Sequence, residues 1–125
     1  MKKLFVSVPM KGRTETDIKA SIAKMKKIAE AYEEEELELI DSYIEEEPPV
    51  ECDRSVWYLS KSLERLAAAD IFIGITDTTG WPGCKIESDV ARLYDIKRYS
   101  VDNTIVIDYT TVLSQKLAVL TSSLI

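Results

Sequence analysis

Short apolar runs alternate along this chain with segments of helical period. Leu4-Phe5-Val6-Ser7-Val8 is nearly continuously apolar, the pattern of a strand covered on both faces. Pro9-Met10-Lys11-Gly12-Arg13 reads as a loop, and Thr14 or Thr16 can cap the helix that follows. Ile18, Ile22, Met25, Ala29 and Tyr32 then recur at helical spacing and predict one buried stripe. Leu37-Glu38-Leu39-Ile40 reads as a second strand, followed by an irregular loop through Pro48 and Pro49. A second helix is predicted from about Ser55 to Ala69, with Val56, Leu59, Leu63 and Leu66 facing the sheet. Ile71 to Ile75 is a third strand, and a third helix from about Cys84 to Tyr94 is expected to bury Ile86, Val90 and Leu93. Residues 96–101 and Thr104-Ile105-Val106-Ile107 read as further strands, and residues 110–122 carry a weak helical pattern.

Strand alternating with helix through short links predicts an α/β domain with right-handed crossovers. The expected architecture is a doubly wound, mostly parallel sheet of about five strands, in the order 2-1-3-4-5, with helices on both faces. Residues 1–125 have room for a single domain with one core, and neither repeats nor a domain linker interrupt them.

A net charge of −6 makes nucleic acid an unfavourable partner, because phosphate backbones repel an acidic surface. The runs Glu33–Glu36 and Glu45–Glu47 carry much of that charge and read as solvated faces or loop edges. No apolar run approaches the ~18–20 residues that span a bilayer, so no membrane partner is expected. Lys2 and Lys3 lead directly into a short strand, so no signal peptide is expected, and Cys52 and Cys84 are expected to be reduced thiols. These features predict a cytoplasmic protein. The sequence has no histidine, which excludes Ser-His-Asp and Cys-His catalysis. With two cysteines far apart, neither a metal nor a cofactor is expected.

The candidate chemistry gathers in the loops after strands one and three. In the predicted strand order these strands are neighbours at the switch point, where a crevice opens at their carboxyl ends. Ser7, the backbone of Met10 to Gly12, and the cations Lys11 and Arg13 could receive a phosphate there; exposed loop cations are equally common without one. Gly12, Gly80 and Gly83 fit either ligand approach or turns needing positive φ. Trp57, Tyr58 and Trp81 could stack a planar base, with Trp57 and Tyr58 on different helix faces. Glu87 falls in the first turn of the predicted third helix. There it either satisfies the helix dipole or stands ionised and poised at the sheet edge.

Several stretches together resemble the nucleoside 2-deoxyribosyltransferase-like superfamily, nearest to a small phage and bacterial subgroup of uncharacterised function. They are Phe5–Arg13, Val56-Trp57-Tyr58-Leu59-Ser60-Lys61-Ser62-Leu63, Ala69-Asp70-Ile71, Gly80-Trp81 and Gly83-Cys84-Lys85-Ile86-Glu87, within about residues 3–101. The resemblance implies a flavodoxin-like fold that binds nucleosides or their 5′-monophosphates and completes its sites across subunits of a homodimer or higher oligomer. A phage-encoded member would act in the host cytoplasm. Glu87 matches the family's nucleophile, which attacks the anomeric carbon as in retaining glycoside hydrolysis. Candidate substrate contacts are Ser7, Pro9, Met10, Lys11, Gly12 and Arg13, with Ser62, Asp77, Gly80, Trp81 and Gly83.

Three departures from that pattern matter. Ser62 stands where the family often has an aspartate that helps protonate the departing base, and a serine cannot act as an acid near neutral pH. The stretch between Trp81 and Gly83 is shortened and lacks an expected arginine, and Ser88 and Asp89 follow Glu87 in place of an apolar residue and glycine. Two functions therefore stand open: an N-glycosidic-bond enzyme (deoxyribosyltransferase or hydrolase), or a nucleotide-binding module that sequesters or senses its ligand without turnover.

Overall fold

Leu4, Phe5 and Val6 have no solvent contact, because their strand sits in the middle of the sheet and alternates its side chains between two apolar layers. The computed structural model describes residues 1–102 and 105–109. Its elements in chain order are β1 (Lys3–Ser7), α1 (Glu15–Glu33), β2 (Glu38–Leu39), α2 (Arg54–Leu66), β3 (Ile71–Ile75), α3 (Pro82–Leu93), β4 (Lys97–Asp102) and β5 (Ile105–Asp108). They form an α/β fold with one five-stranded sheet ordered β2-β1-β3-β4-β5. β1 pairs in parallel with β2 and β3, and β3 with β4. Only β5 runs antiparallel. Two residues separate β4 from β5, far too few for a crossover, so the strands can only form a hairpin.

One core layer joins Leu4, Val6, Ile71 and Ile73 of the sheet to Ile18, Ile22, Met25 and Ala29 of α1. The other joins Phe5 and Phe72 to Leu66 of α2 and Ala91 of α3. Phe5 and Phe72 lie with ring centroids 6.0 Å apart and near-parallel planes. Thr14 is the cap of α1, its hydroxyl accepting the Asp17 N–H at 3.2 Å, and Asp53 caps α2 in the same way through Val56 N–H at 3.0 Å.

Several faces differ from the sequence expectation. Tyr32 is half exposed at the end of the α1 stripe, its ring tilted against Tyr99. Val56 is exposed, because α2 begins to pack only further along, at Leu63 and Leu66, and the helix ends at Leu66, before Ala69. In α3 the buried face is Cys84, Glu87 and Ala91, while Ile86 and Leu93 are exposed. A carboxylate thus occupies an inward position that apolar periodicity would assign elsewhere. Glu33 also departs from the solvated-face reading: its side chain is 2% exposed, held by Lys97 at 2.5 Å and Lys2 at 3.5 Å, and it accepts the Tyr99 hydroxyl. Among the described residues, no helix is long and apolar enough to cross a membrane. The weak helical pattern over residues 110–122 lies outside the described residues.

Candidate functional site

At the carboxyl end of β1, alternation along the strand turns Ser7 toward the α2 and α3 layer and Val8 toward the α1 layer. Ser7 is buried, and its hydroxyl donates to Glu87 Oε1 at 2.7 Å. Ser7 pairs with Gly74 of β3 in the sheet register. Space favours glycine at position 74: a Cβ there would lie 3.0 Å from the Phe72 ring and 3.4 Å from Ser7 Cβ. Bare backbone on the neighbouring strand therefore leaves room chiefly for the Phe72 ring, beside Ser7.

Glu87 is 8% exposed. Burial raises its carboxyl to about 6, opposed by hydrogen bonds from the Ser7 and Ser62 hydroxyls. The sequence expectation credited the helix N-terminus with keeping this acid ionised. In the structure α3 begins at Pro82, its first turn holds no acidic residue, and Glu87 lies in the second turn, where the end field has faded. Two serine hydroxyls do that work instead. With a value about one unit below neutrality, the carboxylate remains ionised roughly ten to one at pH 7.

Cys84 precedes Glu87 by three residues and shares its buried face. Burial, chiefly, pushes its thiol up to about 11, with the Glu87 charge adding to the rise and a Ser7 hydrogen bond opposing it. It is a neutral wall of the site rather than a nucleophile. The i, i+3 spacing from Glu87 is the sequence signal that places this thiol in the site.

The other predicted contacts are placed differently. The Arg13 guanidinium donates to Pro9 O at 2.9 Å, Asp17 O at 3.1 Å and Ser21 Oγ at 2.5 Å, which ties it to its own loop and to α1. Lys11 is exposed, Met10 packs partly against the α1 layer, and Gly12 takes φ +78° in the turn. Asp77 accepts the Thr79 N–H at 3.0 Å, and that bond holds its exposed carboxyl below the usual range. Gly80, at φ +81°, completes this tight turn. Trp81 is half-buried and precedes Pro82, the first residue of α3, with Gly83 following. Trp57 and Tyr58 are both half-buried, and their rings meet edge to face at 5.2 Å although consecutive residues project from different faces of a helix. The structure therefore brings together Ser7, Ser62, Cys84 and Glu87, and gives Asp77 and Gly80 turn-forming roles.

A polar chain that the sequence reading did not find runs beside this site. Thr76 Oγ1 donates to Ser100 Oγ at 2.9 Å, and Ser100 Oγ lies 3.1 Å from the Tyr109 hydroxyl. No sequence pattern marks these residues, since only strand pairing brings β3, β4 and the end of β5 into register. Among the described residues, no group of three or more acidic, cysteine or histidine side chains is placed to hold a metal ion. Comparison with protein-family models, with curated proteins and with solved structures gave no match.

Proposed function

We propose that this protein acts on the N-glycosidic bond of a nucleoside or nucleoside 5′-monophosphate, with Glu87 as nucleophile. The observation that carries this reading is a mostly buried, serine-held carboxylate at the carboxyl ends of the two central parallel strands, where ligands of open α/β sheets bind. The strand order, with α1 on one layer and α2 and α3 on the other, supports a doubly wound, flavodoxin-like arrangement. The stretches that resemble the deoxyribosyltransferase-like superfamily support the same assignment.

In the proposed reaction a Glu87 oxygen bonds to the anomeric carbon as the carbon–nitrogen bond breaks. The base leaves with the bonding electron pair and takes its proton from water. Water or a second base then attacks the anomeric carbon and frees the carboxylate. Ser7 and Ser62 orient the carboxylate and offset part of the cost of ionising it in a buried place. Lys11 and the amides of Met10 to Gly12 would take the phosphate, when there is one. The exposed Val56, Leu93 and Tyr94 favour a homo-oligomer.

One observation favours a second reading, a binding module without turnover. Ser62 and Cys84, the side chains that join Glu87 and Ser7, are neutral, and neither is an effective acid near pH 7. The test is a panel of ribo- and deoxyribonucleosides and their monophosphates, incubated with the wild type and with Glu87→Gln and followed by chromatography for free base. Base release that disappears in Glu87→Gln supports the enzyme. Binding without base release by the wild type supports the module.

A further inference from the structure

On the opposite layer from Glu87, the carboxyl ends of β1, β3 and β4 leave a recess of about 200 Å³ against α1. Val8, Met25, Ile75 and Val101 form an apolar floor, and Arg13, Ser21 and Lys24 form a polar rim. We propose that this recess is a second binding site, taking a small organic anion with a compact aliphatic body, such as a short-chain carboxylate.

The size sets the class of ligand. The recess lies below the ~300 Å³ at which ordinary ligand pockets begin, which favours a compact ligand over a whole nucleoside. The floor rewards hydrocarbon, and the rim supplies positive charge. Most of the described lysines and arginines of this acidic chain lie against a carboxylate. Arg13 and Lys24, like Lys3, Lys11, Lys27 and Arg98, have no carboxylate within ion-pair distance among the described residues, and these two border one recess. Ser21 and Lys24 are spaced i, i+3 on α1 and so share a face. Arg13 is already fixed by hydrogen bonds to Pro9, Asp17 and Ser21, so its side-chain entropy is largely spent before a ligand arrives. A carboxylate at the rim would accept from Arg13 and face Lys24, with its alkyl body on the floor.

This site rests on no part of the Glu87 reading. The test is a methyl and amide NMR titration with hexanoate, with inorganic phosphate as an anion lacking the aliphatic body. Saturable shifts are expected at the methyls of Val8, Ile75 and Val101, with phosphate binding several-fold more weakly. Reversing the exposed rim charge in Lys24→Glu should weaken hexanoate about tenfold. Glu87→Gln should leave its binding unchanged. No saturable methyl shift, unaltered affinity in Lys24→Glu, phosphate binding as tight as hexanoate, or shifts centred on Ser7 and Ser62 would each overturn the proposal.

Discussion

Ser7 at the end of β1 and Glu87 in the second turn of α3 are joined by a 2.7 Å hydrogen bond across eighty residues of sequence. The serine hydroxyl donates to the carboxylate and favours its charged form, while burial opposes it. In Ser7→Ala, the Glu87 midpoint should therefore rise above about 6. Carboxyl-carbon NMR titration of both proteins reads this directly. An unchanged midpoint would show that Ser7 does not govern the charge of Glu87.

The same shift links stability to pH. Glu87 has its folded value raised to about 6 from 4.5, so the folded state holds this proton more tightly than the unfolded one. Stability contributed by the protonated acid is complete below about 4.5 and is lost as pH rises through about 6. Glu87→Gln should therefore be more stable than wild type at pH 8, by about 2 kcal/mol, with the gap closing near pH 4. Urea unfolding of both proteins at the two pH values tests the sign. A variant less stable at pH 8 would contradict it.

Glu33 should behave oppositely. Burial raises its carboxyl, but Lys97, Tyr99 and Lys2 together outweigh that and hold it below the usual range. Its contribution is present above the unfolded value of 4.5 and is lost as pH falls through the depressed folded value. Glu33→Gln should cost roughly 1–3 kcal/mol at pH 7, below the loss for a fully buried pair because both lysines keep solvent contact. Thermal melts at pH 7 and pH 3 should show that penalty shrinking in acid.

Thiol chemistry separates the two cysteines. Cys52 is exposed, and Cys84 is buried with its thiol pushed up to about 11. In native protein at pH 8, one thiol should react promptly with a disulfide reagent and the second only on unfolding. Cys52→Ser should abolish the fast phase. If the fast phase survived in Cys52→Ser, Cys84 would be accessible and the site differently built.

Strand positions were legible because β1 and β3 are covered on both faces and read as nearly continuous apolar runs. Their adjacency followed from the alternation of strand and helix. The inward face of α3 was not legible. Periodicity ranks Ile86 and Leu93 above a glutamate, and nothing local reveals that Ser7, far away in sequence, supplies the bond that lets Glu87 turn inward. For the same reason Glu33 looked like part of a solvated run, although Lys97 and Tyr99 of β4 enclose it. Loop cations carry no direction in sequence, so Arg13 could be placed near a site but not turned toward α1.

The central claim is that the Glu87 carboxylate forms a covalent bond to the substrate sugar. Rapid acid quenching of the protein with nucleosides and nucleoside 5′-monophosphates, followed by intact-mass and peptide mapping, tests it most directly. The expected result is a mass increase of one glycosyl group, located on Glu87, absent in Glu87→Gln and accompanied by free base. Base release with no adduct on Glu87, or an adduct that persists in Glu87→Gln, would contradict it.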